Sequence, residues 1–341
     1  MLHLQINPPK WFYGLFLGIL ATAAVAITVE IKEPTLEPLA QRVSTNLNGV
    51  VRISGMKTQP SDLGFPIQGM VVGSGFFIDE NLILTNNHVV ADGESLSITT
   101  RNSKKSYNIE VIASDKVSDV ALIKIKDSEF EAFKKNNNPT ILELETSDNI
   151  VLGEIVYSIG HPWGFEWSIS QGIISGIDRR FPDEKTPKYY LQTDAKIYSG
   201  NSGGPLIDEN GKVVGMNTQI YLGDGGSFGF AIPGELLKKI VSNLQEEKQV
   251  VWPVLGIQLG IDNDGNVDIR ELTPDRPAKA AGLQSGDVIL SMNGTQIHSP
   301  DELLNILAIM NKNDTVTLEI KRNNVIKFIP IVLDGKTSDE F

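Results

Sequence analysis

The chain has 341 residues, of which 41% are hydrophobic and 21% are charged, and its formal net charge is −12. This length predicts two or three globular domains. The absence of cysteine excludes disulfides, thiol catalysis and cysteine-based zinc sites. The acidic balance, without any Lys/Arg run, argues against a nucleic-acid partner. We also predict no metal and no cofactor.

An uncharged apolar run at residues 11–29 follows Lys10. As a helix it would span roughly 28 Å at ~1.5 Å per residue, close to the hydrocarbon thickness of a bilayer. The positive side precedes the run and acidic residues follow it, so we expect residues 1–10 to be cytoplasmic and 11–29 to be a transmembrane anchor. A cleaved signal peptide, with AVA at 24–26 as its cleavage site, is the alternative.

Short β-rich segments dominate the chain from about residue 49 to Pro233. They are broken by Gly, Asn and Asp and show almost no helical periodicity, which is typical of β-barrels or sandwiches. Apolar residues at helical spacing after Gly234 predict a closing helix. We therefore expect a linker with a short helix at 30–48 and a β-rich domain at 49–248.

A second unit, of mixed α+β type, is predicted at 252–335, followed by a short tail at 336–341. Its strands include LGIQL, NVDIREL, DVILSMNG and TVTLEIKR. Its helix begins with the pattern of a capping box, in which Ser299 is the N-cap, Pro300 follows and Glu302 lies three residues on.

The stretch YSGNSGGPLID, residues 198–208, surrounds Ser202 with glycines. A serine hydroxyl becomes a nucleophile when a base takes its proton. His88 follows an apolar strand, where its side chain can face a cleft, and Asp119 begins the buried strand of SDVALIKI, where it can orient an imidazole. The chain order His, Asp, Ser is that of chymotrypsin-type double barrels.

The glycines also suit an oxyanion hole, which needs open backbone N–H groups. We assign this role to Gly200, Asn201 and Ser202, with the N–H groups of Gly200 and Ser202 as donors. Each motif alone has a structural alternative, namely a turn, a strand-end histidine or a turn aspartate. Their joint occurrence in this order on a β-rich background favours catalysis.

The segments GSGFFID, ILTNNHVV, SDVALIKI, SIGHPWG and GNSGGPLID together resemble the HtrA family of serine proteases, over about residues 36–335. The resemblance implies a mainly β fold, with a chymotrypsin-like double β-barrel protease domain followed by one α+β PDZ domain and preceded by a transmembrane helix. It is strongest to the membrane-anchored DegS type. His88 is then the general base, Asp119 its orienting acid and Ser202 the nucleophile.

The same resemblance implies further roles in the protease domain. Ile197 matches an apolar wall of the primary specificity pocket, for small aliphatic residues. Arg179 matches the arginine of a regulatory sensor loop, with Trp163 and Gln192 as its contacts. Its neighbour Arg180 could serve as the sensor equally well.

The second unit is interpreted as a peptide-binding module. PVLGIQL resembles a PDZ carboxylate-binding loop, whose N–H groups receive a peptide's C-terminus while the peptide adds as a strand. The candidate peptide-binding residues are Leu255, Gly256 and Ile257 in the loop and Leu303, Ile306 and Leu307 on the capped helix.

The implied function is a serine endopeptidase of the bacterial inner membrane, single-pass, with both domains in the periplasm. The resemblance implies activation by C-terminal peptides of misfolded outer-membrane proteins and cleavage of a membrane protein of the anti-sigma factor type. It also implies a homotrimer, for which Phe65, Phe76 and Phe77 are the available aromatic contacts. The alternatives are a non-proteolytic chaperone or scaffold, and a constitutive periplasmic protease-chaperone.

Overall fold

The structure is a computed structural model that describes residues 39–60, 65–146, 150–181, 188–223 and 226–340. The predicted anchor at 11–29 lies outside the described residues. Among the residues that are described, no helix has both the length and the apolarity needed to cross a membrane. A short helix, α1 (Leu39–Asn46), lies within the range of the predicted linker.

Six antiparallel strands close into a first barrel. They are β1 (Val50–Pro60), β2 (Pro66–Asp79), β3 (Leu82–Thr85), β4 (Gly93–Thr100), β5 (Ser103–Asp115) and β6 (Val120–Ile125). Their order around the barrel is β1-β2-β3-β6-β5-β4. Two helices, α2 (Asn87–Val90) and α3 (Asp127–Asn136), interrupt the strands. Helix α3 is absent from our predictions because it is mostly polar and fully buries only Phe133.

A second barrel of six strands follows. They are β7 (Ile155–Gly160), β8 (Ser168–Arg179), β9 (Tyr190–Thr193), β10 (Pro205–Ile207), β11 (Val213–Gly223) and β12 (Gly226–Pro233). Their order is β10-β11-β12-β9-β8-β7. The predicted closing helix is α4 (Gly234–Glu246), which buries its apolar face. The double β-barrel predicted from the sequence is confirmed.

The C-terminal unit is a sheet with two helices. Its elements are β13 (Val251–Val254), β14 (Ile257–Ile261), β15 (Val267–Leu272), α5 (Pro277–Ala280), β16 (Val288–Met292), β17 (Thr295–Gln296), α6 (Pro300–Ala308), β18 (Thr315–Arg322), β19 (Val325–Val332) and β20 (Asp334–Thr337). The main sheet runs β14-β15-β16-β18-β19, while β13 pairs with β20. Strand β14 is therefore an edge strand.

The predicted cap of α6 is present with one difference. Ser299 Oγ accepts a hydrogen bond from Glu302 N at 3.2 Å, as expected of an N-cap. The Glu302 carboxylate accepts from His298 N at 2.7 Å, one residue before the position that a capping box predicts.

One apolar cluster joins both barrels to α4 and to Trp252. Because interiors are close-packed, this shared core fixes the position of one barrel against the other. Two of the aromatic residues assigned to trimer contacts are fully buried, Phe76 in this cluster and Phe77 in a separate cluster of the first barrel. Their assignment to subunit contacts is therefore wrong, whereas Phe65 is 68% exposed.

Candidate active site

The first barrel supplies an imidazole–carboxylate pair. His88 lies on the one-turn helix α2 rather than at the end of β3, which stops at Thr85. His88 Nδ1 is 2.8 Å from Asp119 Oδ2, and the backbone N–H of His88 donates to Asp119 Oδ1 at 2.9 Å. Asp119 adopts a left-handed conformation, with φ of 58°, immediately before β6. The Asp119 carboxylate thus binds both the backbone and the imidazole of His88, which orients the ring.

The surroundings of Asp119 favour its ionised form. Burial raises its pKa, but hydrogen bonds and charge from His88 and a hydrogen bond from Thr218 outweigh burial and lower the pKa below its ordinary value. Thr218 Oγ1 donates to Asp119 Oδ2 at 2.8 Å, and Asn86 Nδ2 donates to the Asp119 carbonyl at 2.8 Å. An ionised Asp119 holds the proton on His88 Nδ1, which leaves Nε2 as an acceptor.

The second barrel supplies the hydroxyl. Ser202 is half-buried, and its Oγ donates to the Thr218 carbonyl at a long 3.4 Å. Within the described part of the chain, Ser202 Oγ forms no hydrogen bond to His88. Catalytic hydrogen bonds of this kind often tighten only when substrate is bound. Thr218 therefore contacts both halves of the site, one through its hydroxyl and the other through its carbonyl.

Close packing explains the glycines around Ser202. Gly200 has a φ of 104°, and a Cβ there would lie 2.3 Å from the His161 carbonyl oxygen. Gly203 has a φ of 82°, and a Cβ there would lie 2.2 Å from the Ser74 carbonyl oxygen. Only glycine satisfies both the backbone conformation and the space.

Two backbone N–H groups beside Ser202 remain open. Among the described residues, the N–H groups of Gly200 and Ser202 have no acceptor, whereas Asn201 N donates to Tyr198 O at 2.9 Å. The carbonyl of Ser199 accepts from Trp163 N at 2.9 Å. In the trans peptide that joins residues 199 and 200, the N–H of Gly200 points away from that carbonyl. Gly200 and Ser202 can therefore donate to an oxyanion, whereas the N–H of Asn201 is already used.

A buried pair supports this loop from behind, and the sequence analysis assigned it no role. Ser74 Oγ donates to the Gly200 carbonyl at 2.7 Å and lies 3.0 Å from His161 Nδ1. Because the hydroxyl proton is used on Gly200, His161 Nδ1 must be the donor to Ser74. Burial and the nearby charge of Arg52 lower the pKa of His161 to about 3, so this imidazole is neutral. Ser74 N also donates to the Ser202 carbonyl at 2.9 Å.

The residue assigned to the specificity pocket is buried beside a glycine. Ile197 is 3% exposed. A Cβ on Gly229 would lie 2.5 Å from Ile197 Cδ1, so a larger residue at 229 would collide with Ile197. Ile197 is thus packed into the second barrel, and its role as a wall of the specificity pocket stays a prediction.

The three residues assigned to the sensor are only partly brought together. Arg179 Nε donates to Gln192 Oε1 at 3.1 Å, across strands β8 and β9. Trp163 instead stacks on Tyr198, with 4.3 Å between ring centroids. Trp163 thereby contacts the nucleophile loop directly, through both its ring and its backbone N–H.

Arg180, the alternative to Arg179, contacts the C-terminal unit. Its Nε and Nη2 donate to Asn305 Oδ1 at 3.0 and 2.8 Å, and Nε lies 3.8 Å from Asp301 Oδ1. The Arg180 side chain is only 7% exposed. Both partners belong to α6, so a buried arginine at the end of β8 holds the helix of the C-terminal unit.

Lys239 on α4 makes a second contact between the two regions. Its Nζ donates to the Ala308 carbonyl, at the end of α6, at 2.8 Å. The same ammonium lies 5.3 Å from the ring centroid of Trp252. Burial, partly offset by the charge of Asp314, lowers the pKa of Lys239 to about 7.

The candidate peptide-binding residues divide into core and surface. Leu255 is 2% exposed, and Leu303 and Leu307, at 0% and 4%, belong to the core of the unit. Leu303 and Leu307 are therefore not open groove surface, which corrects their assignment. Ile257, on the edge strand β14, and Ile306, on α6, are half-buried.

Gly256 gives the predicted carboxylate-binding loop its shape. It has a φ of 78°, and a Cβ there would lie 2.2 Å from Arg276 Cβ. The loop therefore requires glycine at this position. Within the described ranges, no group of three or more His, Asp or Glu side chains could hold a metal ion.

Comparison with known proteins agrees with the fold. The trypsin-like peptidase domain family matches residues 73–216, and the PDZ domain family matches residues 253–333. A probable periplasmic serine endoprotease, DegP-like, of Marinomonas sp. (strain MWYL1) is 34% identical over 283 residues, covering 79% of this chain and 58% of the relative. A protein of the same description from Pseudomonas fulva (strain 12-X) is 34% identical over 295 residues, covering 82% of this chain and 59% of the relative.

Solved structures give the same result. The HtrA-type protease AlgW with tripeptide has a TM-score of 0.70 and 26% identity, covering 88% of this chain and 97% of that chain. The serine endoprotease from Yersinia pestis has a TM-score of 0.60 and 27% identity, covering 88% and 99%. Fold and site together define a trypsin-like peptidase domain joined to one PDZ domain. The chain belongs to the HtrA family of serine proteases, although it spans only 58% of the length of the first curated relative.

Proposed function

We propose that this chain is a serine endopeptidase whose PDZ domain regulates cleavage. The observation that carries the proposal is the arrangement around Ser202. The oriented His88 and the two open N–H donors belong to one cleft, which His88, Gly200 and Ser202 line together. A structural role for the loop would leave both features without a purpose.

The chemistry follows from these positions. His88 Nε2 accepts the proton of Ser202 as Oγ attacks the carbonyl carbon of a peptide bond. The resulting oxyanion receives hydrogen bonds from the N–H groups of Gly200 and Ser202. The imidazolium, held by the ionised Asp119, then returns its proton to the leaving amine. Water hydrolyses the acyl-enzyme by the same route.

A second part of the proposal concerns control by peptides. A C-terminal carboxylate would bind at residues 255–257, and its peptide would extend along the edge strand β14. Helix α6 carries Ile306, which is half-buried, and Asn305, which accepts hydrogen bonds from Arg180. Peptide binding can therefore act on the end of β8 through one helix. The neighbouring structure of AlgW was solved with a tripeptide, which supports peptide binding by this architecture.

The resting geometry supports regulation as well. The acid–base pair is formed, whereas the bond between Ser202 and His88 is not. A bound peptide shifts such an equilibrium only through its differential affinity for the two states. We propose that peptide binding favours the state in which Arg180, or Arg179 through Gln192, stabilises the productive loop.

We further propose a periplasmic location with residues 11–29 as an inner-membrane anchor. The curated relatives are named as periplasmic proteases, and the apolar run has the length of a membrane span. In that location the activating ligands would be C-terminal peptides of unfolded outer-membrane proteins. The substrate would be a membrane protein of the anti-sigma factor type, and the assembly a homotrimer. A mature N-terminus near Ile27, found by sequencing the purified membrane fraction, would show a signal peptide instead.

Assay of the full chain with a fluorogenic peptide tests both the peptidase activity and its regulation by peptides. Cleavage should rise on addition of a peptide with a free C-terminal carboxylate and not with its C-terminal amide. Arg180→Ala should keep peptide affinity and lose most of the response, with Arg179→Ala as the matched variant. Cleavage that is absent in both states contradicts the endopeptidase and favours a chaperone or scaffold. Cleavage that is unaffected by peptide favours the constitutive protease.

A further inference from the structure

A cleft of about 490 Å³ opens beside the catalytic residues. Its lining includes His88 and Ser202, the apolar residues Met70, Val71 and Trp163, and Arg52. Met70 and Trp163 are 73% and 67% exposed, so the rim is apolar and open. Arg52 is the one cationic side chain among the residues that line the cleft.

Arg52 owes its position to strand alternation. Its neighbours Val51 and Ile53 on β1 are fully buried in the first barrel. Side chains alternate along a strand, so Arg52 projects from the outer face of the barrel. There it pairs in register with Ser74 of β2, whose side chain supports the nucleophile loop. Arg52 is also near enough to His161 for its charge to lower the pKa of that imidazole.

The guanidinium of Arg52 lacks a partner within the described residues. It forms no hydrogen bond or ion pair there, and its Nε is buried without an acceptor. Each other arginine whose side chain the structure describes has an oxygen partner: Arg101, Arg179, Arg180, Arg270, Arg276 and Arg322. Partial burial of an unpaired charge is unfavourable unless a ligand supplies the opposite charge.

The position of the cleft indicates which part of a substrate reaches it. The pocket predicted for the residue before the cut bond belongs to the second barrel, where Ile197 packs against Gly229. The cleft is built from β1 and β2 of the first barrel and from residues 163–164, and does not include Ile197. A peptide that places its acyl side on Ile197 must continue past Ser202 and His88 into this cleft. The cleft therefore receives the residues after the cut bond.

We propose that Arg52 binds a carboxylate of the substrate on the C-terminal side of the cut bond, and so selects peptides with Asp or Glu there. The inference rests on the proposed endopeptidase function. A planar guanidinium can receive a carboxylate through two parallel hydrogen bonds. The surrounding apolar residues reduce screening of that interaction by water, while Met70 and Trp163 contact the neighbouring substrate side chains.

The test uses the full chain and matched fluorogenic peptides. The peptides carry Glu, Gln or Lys at the first or second position after the cut bond and are otherwise identical. These substrates have amidated C-termini, and every assay contains the same saturating concentration of one activating peptide with a free C-terminus. One further Gln substrate with a free C-terminus tests whether a terminal carboxylate serves instead. We expect kcat/KM to favour Glu over Gln by roughly tenfold or more, the size of a hydrogen bond to a charged group. Arg52→Met should abolish that preference, and Arg52→Glu should reverse it toward Lys.

Lys57→Met, on the same strand but outside the cleft, is the control and should keep the wild-type preference. Binding of the same peptides to the Ser202→Ala chain gives a second readout, which does not depend on turnover. Equal cleavage of the Glu and Gln peptides by the wild type would overturn the inference and leave the endopeptidase intact. A preference for Glu that survives Arg52→Met would overturn it as well. Failure to cleave any of the peptides would remove the proposed function and this inference with it.

Discussion

The two barrels each contribute one half of the candidate active site, and the two halves differ in how completely they are hydrogen-bonded. In the first barrel, His88 and Asp119 are joined by hydrogen bonds from both side chain and backbone, and Thr218 and Asn86 hold Asp119 in turn. In the second barrel, the Ser202 hydroxyl rests on a carbonyl 3.4 Å away. The acid–base half is thus complete without substrate, whereas the nucleophile half is not.

This difference indicates where control can act. A ligand shifts activity only if it distinguishes two states of some element. The acid–base half is held by bonds within the first barrel and by Thr218, so it has little freedom. The nucleophile loop contacts Ser74, His161 and Trp163, and the second barrel reaches α6 through Arg180. Regulation is therefore expected to act on the loop.

The largest expected effect comes from removing the nucleophile. Ser202→Ala should lower kcat by roughly 10⁶, the loss measured when a triad serine is removed from a serine protease. The acid–base half cannot compensate, because the remaining site has no nucleophile. The measurement is steady-state cleavage, with circular dichroism and peptide binding to the PDZ domain as controls that should not change. Cleavage near the wild-type rate would assign the nucleophile to another residue.

A substitution in the acid–base half should lower kcat by a smaller factor. Asp119→Asn should lower kcat by about 10⁴, because a neutral amide can hold His88 in the wrong tautomer. KM should change little, since Asp119 lies behind His88 and does not reach the substrate. Double substitution with Ser202→Ala should add almost no further loss, because the two residues act as a unit. Additive losses would contradict a shared mechanism.

The sequence was sufficient for those parts of the site that depend on local chemistry. The glycines at 200 and 203 follow from collisions that any Cβ would make, so a glycine-rich turn around one serine is readable in the sequence. The barrels follow from the density of short β segments. Helix α3 could not be recognised, because its one fully buried residue, Phe133, gives no periodic signal.

Contacts between segments that are far apart in the chain could not be predicted from the sequence. Thr218 bonds Asp119 from 99 residues away, and Ser74 reaches Gly200 across 126 residues. Neither pairing leaves a local pattern, since each needs both barrels in place. The choice between Arg179 and Arg180 is similar, because two adjacent basic residues look alike until the position of α6 is known.

An intermediate effect is expected at Thr218, which links the two halves. Thr218→Val keeps the side-chain shape and removes the hydroxyl that donates to Asp119. Loss of a hydrogen bond to a charged group costs about 1.5–3 kcal/mol, so kcat should fall by roughly tenfold or more. That bond is also one cause of the lowered pKa of Asp119, although burial opposes it.

The pH dependence of stability in the Thr218→Val variant tests whether the hydroxyl lowers the pKa of Asp119. Without the hydroxyl, the pKa of Asp119 should rise. The stability contributed by ionised Asp119, present above its unfolded pKa, should then be smaller and be lost at a higher pH on acidification than in the wild type. Urea unfolding of Thr218→Val and Thr218→Ser at several acidic pH values checks this, and the serine variant should retain the wild-type profile. Identical profiles for all three would mean that Thr218 does not influence Asp119.

The smallest effect is expected at Lys239, outside both halves, where α4 meets α6. Its pKa is lowered to about 7, first of all by burial, so the unfolded chain binds more protons than the folded chain between about pH 7 and the ordinary lysine value of 10.5. Stability should therefore rise with pH across that window, by at most about 1.4 kcal/mol per pH unit.

Lys239→Met removes this contribution, and the exposed neighbour Lys238→Met is the matched control. Urea unfolding at several pH values should give a flatter pH dependence for Lys239→Met than for Lys238→Met, with peptide cleavage in the absence of activating peptide measured in parallel. Equal slopes for the two variants would show that Lys239 keeps its ordinary protonation in the folded chain, and the contact to Ala308 would then be that of a fully charged lysine.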